Sequence, residues 1–202
     1  MRKWHDDPFT KKAHRENFEA RSVYKLEEID RRERLFDNAK VVIDLGASPG
    51  SWSQYVLRKC PQAKIFAVDL NPLRVTDPRL VFFEKDINEM NWDEILGEQK
   101  ADVVMSDMAP KTSGIKDRDV ALSFELATLA LDVAKKALKP NGKFAVKIFM
   151  GDTFDEFEAA MKESFKEVRR LRPETTRKHS REIYFIGKGL KASLAAAPAS
   201  AR

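Results

Sequence analysis

Four short apolar runs rich in β-branched residues, KVVIDL (40–45), KIFAVDL (64–70), LVFFEKD (80–86) and ADVVMSD (101–107), each reach an aspartate at or near their ends. Runs of this length and composition read as strands, and the segments between them carry turn residues or helical periodicity. Strand alternating with helix leaves the chain few options: neighbouring strands lie parallel, with helices packed against the sheet. KFAVKIF (143–149) continues the series, and EVRRLRP (167–173) and REIYFIG (181–187) follow as two strands in succession. The pattern predicts an α/β chain built on a mostly parallel seven-stranded sheet with one antiparallel strand and helices on both faces. In such open sheets ligands gather beyond the carboxyl ends of the strands, where the aspartates fall.

Helical spacing of Phe18, Val23, Leu26 and Ile29 predicts a helix from Asn17 to Arg34. Val120, Phe124, Ala127, Leu131, Ala134 and Leu138 predict a long helix over 118–138, stopped by Pro140-Asn141-Gly142. Shorter helices are expected from Ser51, around Trp92–Leu96, and from Phe154 to Phe165. Residues 190–202, LKASLAAAPASAR, are compositionally biased and read as a frayed tail. No repeat or composition shift divides the rest, so residues 1–189 are expected to form a single domain, with a basic N-terminal arm over 1–16.

A chain of 202 residues can bury a core without disulfides or metals. Hydrophobic residues at 43% and charged residues at 34% exclude a disordered or membrane-embedded class, and no apolar stretch suits a secretory signal or a bilayer span. Cys60 is the single cysteine, which excludes an internal disulfide and suits a reducing compartment; the cytoplasm is the expected address. Charge is concentrated: residues 162–191 hold ten lysines and arginines against four acids, leaving that segment at +6 within a chain of net +5. Such a stretch fits a polyanion such as RNA, or simply a solvated surface.

The first strand closes on Asp44-Leu45-Gly46-Ala47-Ser48-Pro49-Gly50 and a helix opens directly after it. Glycines there let the backbone pass close to a ligand, and the helix start offers unpaired N–H groups. A lone Gly-x-x-x-Gly also makes a tight strand-to-helix turn, and the loop is neither a dinucleotide-binding G-x-G-x-x-G nor a P-loop. Three acids favour the ligand. Asp69 ends the second strand, where it can accept hydrogen bonds from a ribose diol; Asp86 ends the third, within reach of an adenine amino group; Asp107 ends the fourth.

Five segments in register, ARSVYKLEEI (20–29), VIDLGASPGSWSQY (42–55), SDMAPKTSG (106–114), FAVKIF (144–149) and SREIYFIG (180–187), resemble the FtsJ/RrmJ family of ribosomal RNA 2′-O-methyltransferases. The likeness runs from about Arg15 to Lys188, with two departures: Ser51 replaces a usual second glycine and Lys111 a frequent asparagine. It implies a Rossmann-like class I methyltransferase fold, S-adenosyl-L-methionine as cofactor, and cofactor contacts from Gly50, Trp52, Asp69, Asp86 and Asp107 beside Gly46. Taken alone, Trp52 reads as a core residue at a helix start.

The resemblance also groups Lys25, Asp107, Lys147 and Glu182 as the catalytic set, with no metal. A ribose 2′-hydroxyl is a poor nucleophile that must be aligned with the methyl group and relieved of its proton. Lys147 is expected to act on that hydroxyl as proton acceptor or steering group, with Lys25 stabilising alkoxide charge, Asp107 orienting Lys147, and Glu182 supporting the lysines or the ribose. Burial and Lys25 favour a neutral Lys147 amine while the two carboxylates favour the ammonium, so distances decide. The implied substrate is a uridine of 23S ribosomal RNA presented by the large ribosomal subunit, the enzyme acting as a monomer. Phosphate contacts are expected from Arg2, Lys3, Lys11, Lys12, Arg15 and Arg21, though residues 1–40 also hold nine acids, and from Arg177-Lys178-His179-Ser180-Arg181. Competing readings are a tRNA or mRNA-cap methyltransferase, a catalytically silent RNA-binding relative, and a nicotinamide dehydrogenase, whose glycine signature is absent.

Overall fold

The structure is a computed structural model and describes residues 7–177 and 179–192. Arg2, Lys3 and Lys178, expected to meet phosphate, and most of the expected tail lie outside the described residues.

Seven strands form one sheet in the order β3-β2-β1-β4-β5-β7-β6. They are β1 (Val41–Leu45), β2 (Lys64–Asp69), β3 (Leu80–Glu84), β4 (Ala101–Ser106), β5 (Leu138–Phe149), β6 (Phe165–Leu171) and β7 (Glu182–Leu190). All neighbours are parallel except β7, which runs antiparallel to both β5 and β6. From β1 the chain builds outward to β2 and β3, then returns to lay β4 on the other flank of β1. That reversal leaves a crevice at the carboxyl ends of β1 and β4, the place where open α/β sheets hold ligands.

Among the described residues six α-helices accompany the sheet: α1 (Pro8–Arg15), α2 (Val23–Glu33), α3 (Ser51–Lys59), α4 (Trp92–Leu96), α5 (Lys116–Ala137) and α6 (Phe154–Ser164). Strand alternation divides the core in two. Ile43, Val104, Phe144, Val146 and Phe185 face one way, onto α4, α5 and α6. Val42, Val103, Met105, Ala145, Tyr184 and Ile186 face the other way, onto Leu26 and Ile29 of α2 and Trp52 and Val56 of α3. A three-layer sandwich results, with both faces of the central strands β1 and β4 covered.

Three expectations need correction. The helix predicted from Asn17 begins only at Val23, because Asn17 is left-handed (φ 57°) and closes a separate helix, α1. Asp7 starts α1 by accepting the Phe9 and Thr10 amides at 2.9 and 3.4 Å, and Pro8 occupies the first helical position. From Pro8 to Arg15 the expected basic arm is a docked helix, with Ala13 seated against Tyr24. Second, α5 ends at Ala137, and Leu138 already belongs to β5; Pro140-Asn141-Gly142 forms an irregularity inside that strand, between the Ala101↔Leu138 and Val103↔Lys143 pairs. Third, Leu190, placed in the tail by composition, is fully buried as the last residue of β7, and the Lys191 amide donates to the Ser164 carbonyl.

The basic stretch also divides. On β6 and its surroundings Arg170 and Lys162 pair with Glu158, Arg169 with Glu167, and Lys188 with Glu33. Alternating charges on an exposed edge strand discourage another chain from adding to the sheet. From the basic stretch Arg177 and His179 line a cavity of the site described below. Among the described residues no helix is long and apolar enough to cross a membrane.

Candidate active site

Beyond the carboxyl ends of β1, β2 and β4 lies a cleft of about 470 Å³, a size that suits a small-molecule cofactor. Gly46, Asp69, Asp86 and Asp107 line it, together with Ser48, Lys85, Met108, Lys111, and Leu126 and Leu129 of α5. Four of the expected cofactor residues thus meet in one place. Asp69 accepts the Ser48 amide on Oδ2 at 2.9 Å and the Asn71 amide and side chain on Oδ1, which ties the glycine loop to the end of β2. Asp86 lies two residues past β3, where its Oδ1 caps a short turn by accepting from Asn88 and its Oδ2 remains for a ligand.

Gly50 and Trp52 do not line the cleft. Gly50 has φ 121°, and a Cβ there would meet Val75 Cγ2 at 2.3 Å, so the loop at 73–75 roofs the start of α3. Trp52 is 2% exposed; its indole N–H donates to the Ser22 carbonyl at 3.0 Å and its ring lies 5.9 Å from that of Tyr184. Any contact from Trp52 to a ligand in the cleft comes from its backbone. Gly46 has φ 75°, and a Cβ there would meet Met108 Cγ at 2.5 Å, so a side chain would push β1's loop off β4's. Beneath the loop, Asp44 is buried with Ser53 Oγ 2.7 Å from Oδ2 and no partner on Oδ1. Burial first, and then the charges of Asp107 and Asp69, push its carboxyl up to about 7.

The four charged residues named from the sequence come together as two ion pairs. Lys147 Nζ lies 3.0 Å from Asp107 Oδ1 and also donates to the Asp107 carbonyl; Lys25 Nζ lies 2.6 Å from Glu182 Oε2. Both lysines are buried, at 9% exposure for Lys25 and 5% for Lys147. Register explains the convergence. Lys147 stands directly opposite Tyr184 across the β5–β7 ladder, and Glu182 is two residues before Tyr184, on the same face. That face packs against α2, which carries Lys25. Sequence reasoning missed Tyr184, whose hydroxyl donates to Asp107 Oδ1 at 2.7 Å. Its signal was present: period-two alternation along REIYFIG puts Glu182 and Tyr184 on one side.

Burial raises the Asp107 carboxyl, but Lys147, Lys25 and the Tyr184 hydroxyl together outweigh it and hold the carboxyl below its ordinary value. The Tyr184 phenol moves the opposite way, raised by burial and by Asp107 and Glu182. Asp107 is therefore a carboxylate that accepts from two donors on one oxygen while facing the cleft.

On the Lys25 side opens a second cavity, of about 460 Å³, walled by Arg21, Ser22, Lys25, Arg177, His179 and Glu182. Lys25 and Glu182 belong to it, and Asp107 belongs to the first. Among the described residues no group of three or more His, Cys, Asp or Glu is placed to hold a metal ion. The arrangement offers one cleft that could take a nucleotide-like ligand, with the Lys147–Asp107 pair at its Asp107 wall, and a basic cavity lined by the Lys25–Glu182 pair.

Comparison with known proteins agrees with this geometry. The family model for FtsJ-like methyltransferase matches residues 18–190. A protein named ribosomal RNA large subunit methyltransferase E from Bdellovibrio bacteriovorus is 46% identical over 186 residues, spanning 90% of this chain and 95% of the relative. One of the same name from Acinetobacter baumannii is 41% identical over 200 residues, spanning 96% and 92%. A crystal structure of a protein assigned as a ribosomal RNA methyltransferase, from Plasmodium falciparum, superposes with a TM-score of 0.75 at 27% identity, covering 86% of this chain and 98% of the other. The sheet order with its single antiparallel strand is thus that of a Rossmann-like methyltransferase, and the chain belongs to the FtsJ-like methyltransferase family.

Proposed function

We propose that this chain is an S-adenosyl-L-methionine-dependent methyltransferase that methylates the ribose 2′-hydroxyl of a uridine in 23S ribosomal RNA, as a monomer acting on the large ribosomal subunit in the cytoplasm. One observation carries the reading: buried Lys147 is held by Asp107, which lines a cofactor-sized cleft, while Lys25 and Glu182 line a basic cavity. The names of the bacterial relatives support the RNA.

The cleft fits the cofactor. Its glycine leaves no side chain over the loop, Asp69 and Asp86 offer carboxylate oxygens suited to a ribose diol and an adenine amino group, and Leu126 and Leu129 supply an apolar wall. When bound, S-adenosyl-L-methionine supplies a sulfonium methyl as the electrophile, so the protein's own task is orientation and charge. Asp107 anchors Lys147 twice, through its carboxylate and its carbonyl. As a neutral amine, Lys147 then directs its lone pair at the hydroxyl and takes its proton. As an ammonium making the same two bonds, it aims its third N–H at the hydroxyl oxygen and steers it. Lys25, held by Glu182, places positive charge beside the alkoxide that forms as the proton leaves. Arg177 and His179, which line the basic cavity, are the contacts proposed for phosphate around the target.

Incubating purified large subunits from a strain lacking the gene with labelled cofactor, then mapping the modified nucleotide, tests the substrate; label on a base, or none, refutes it. Lys147→Ala should lower the rate by about 10²-fold or more while cofactor affinity by calorimetry stays within a fewfold of wild type. Full activity in that variant removes Lys147 from the chemistry. A rate that rises with pH through the working range marks the acceptor role, and a flat profile marks steering.

A further inference from the structure

Two arginines that line the basic cavity already share an anion, and it belongs to the chain. Asp7 spends Oδ1 on capping α1, while its Oδ2 bonds Arg21 Nη1 and lies 3.7 Å from Arg177 Nη2. Arg21 donates its other terminal nitrogen to the Thr175 carbonyl at 2.5 Å, which fastens the loop carrying Arg177 to the start of α2. Burial and then the like charge of Arg177 push the Arg21 guanidinium below its ordinary value, against the pull of Glu182. One carboxylate oxygen facing two guanidiniums has the geometry in which arginines take a phosphate oxygen. Arg21 stands one turn ahead of Lys25, and both arginines wall the cavity that Lys25 and Glu182 complete.

We propose that the Arg21–Arg177 fork is the subsite for one backbone phosphodiester next to the target ribose, and that Asp7 is its resident occupant, displaced from the looser Arg177 side when RNA binds. The proposal rests on the reading of the chain as an RNA methyltransferase and adds an exchange of anions to it. Exchange leaves a thermodynamic trace. Each phosphate contact releases a cation condensed on the strand, but a carboxylate set free in the same step gathers a cation in return, so only a fork without Asp7 shows the full release.

Asp7→Asn is the variant of choice, because asparagine caps a helix as well as aspartate and only the charge is lost. Binding of a fluorescein-labelled oligouridylate is measured against salt. The expected result is binding about three- to tenfold tighter at low salt, with the slope of log affinity against log salt steeper by about 0.7, the value for one phosphate on a single strand. Adding Arg177→Gln should erase both gains. Unchanged affinity and slope, or weaker binding with an unchanged melting temperature, overturns the proposal. Should Asp7→Asn lower the melting temperature, Arg177→Gln alone decides: a weaker complex is expected, and an unaltered one overturns the idea. Product mapping on the wild type is separate, since absence of ribose methylation would refute the proposed reaction while leaving the anion exchange in the binding data untouched.

Discussion

Tyr184 is fully buried, and its single hydroxyl reaches the carboxylate that also holds Lys147. Tyr184→Phe keeps the ring against Trp52 and removes only that donor. A lost hydrogen bond to a buried carboxylate is expected to cost about 1.5–3 kcal/mol, read from urea denaturation. The sign of the pH effect follows from Asp107. Its depressed pKa contributes stability that is complete above the ordinary carboxylate range and is lost as pH falls through the folded value. Without Tyr184 the folded value rises, so the variant should begin to lose stability at a higher pH than wild type during acid titration; identical acid limbs would contradict the link. At this scale the sequence was most informative where chemistry is rare. A lysine within FAVKIF and aspartates at strand ends stand out, whereas Tyr184 passes for another apolar residue until its register partner is known. Gly50 and Trp52 show the reverse case: a family motif marks their position, but Val75 and Ser22 occupy the space around them.

Among the elements, β7 does the most to assemble the site, because it brings Glu182 and Tyr184 beside Lys147 while running against its neighbours. Its far half is packed without slack. A Cβ at Gly187 would meet the Phe165 ring at 2.5–2.9 Å, and that ring stacks on Phe144 at 14° and 5.9 Å. Gly187→Ala should therefore cost about 1–3 kcal/mol through overpacking, with a falling midpoint in denaturant and an unchanged cofactor affinity. The strands were legible because each is a compact apolar run. Helix boundaries were less so. Asp7-Pro8 carries a helix-start signal, but α1 buries only Ala13, and a single seated residue leaves no apolar period to read. Pro140-Asn141-Gly142 reads as a stop, yet the sheet absorbs it as an irregularity because Leu138 and Lys143 both find partners on β4.

For the whole molecule, charge is sorted by place. Basic residues near β6 are matched by acids, while Arg177 and His179 line the cavity beside Lys25, a division that depends on which strand lies at the edge and so is invisible in composition. The molecule also carries one costly acid in its interior. Asp44, with a folded pKa of about 7 against an unfolded value near ~3.9, keeps its proton longer in the folded state. Its contribution is therefore greatest below the unfolded value and is lost as pH rises toward 7. Asp44→Asn removes this titration. The stability of the variant minus that of wild type should climb between about pH 4 and 7 by more than about 1 kcal/mol, measured by denaturation at each pH. A difference that stays level would assign Asp44 no such role.

Asp107 lines the cleft that reaches Leu126 and Leu129 of α5, and Lys25 of α2 lines the other cavity. On the proposed reaction this makes the protein a partition with two separate entrances. Spent cofactor can depart past Leu126 and Leu129 while a ribosomal particle stays seated against Lys25 and Arg177, and fresh donor can follow by the same route. Inhibition by the demethylated cofactor should then compete with the methyl donor and leave the grip on RNA unaltered.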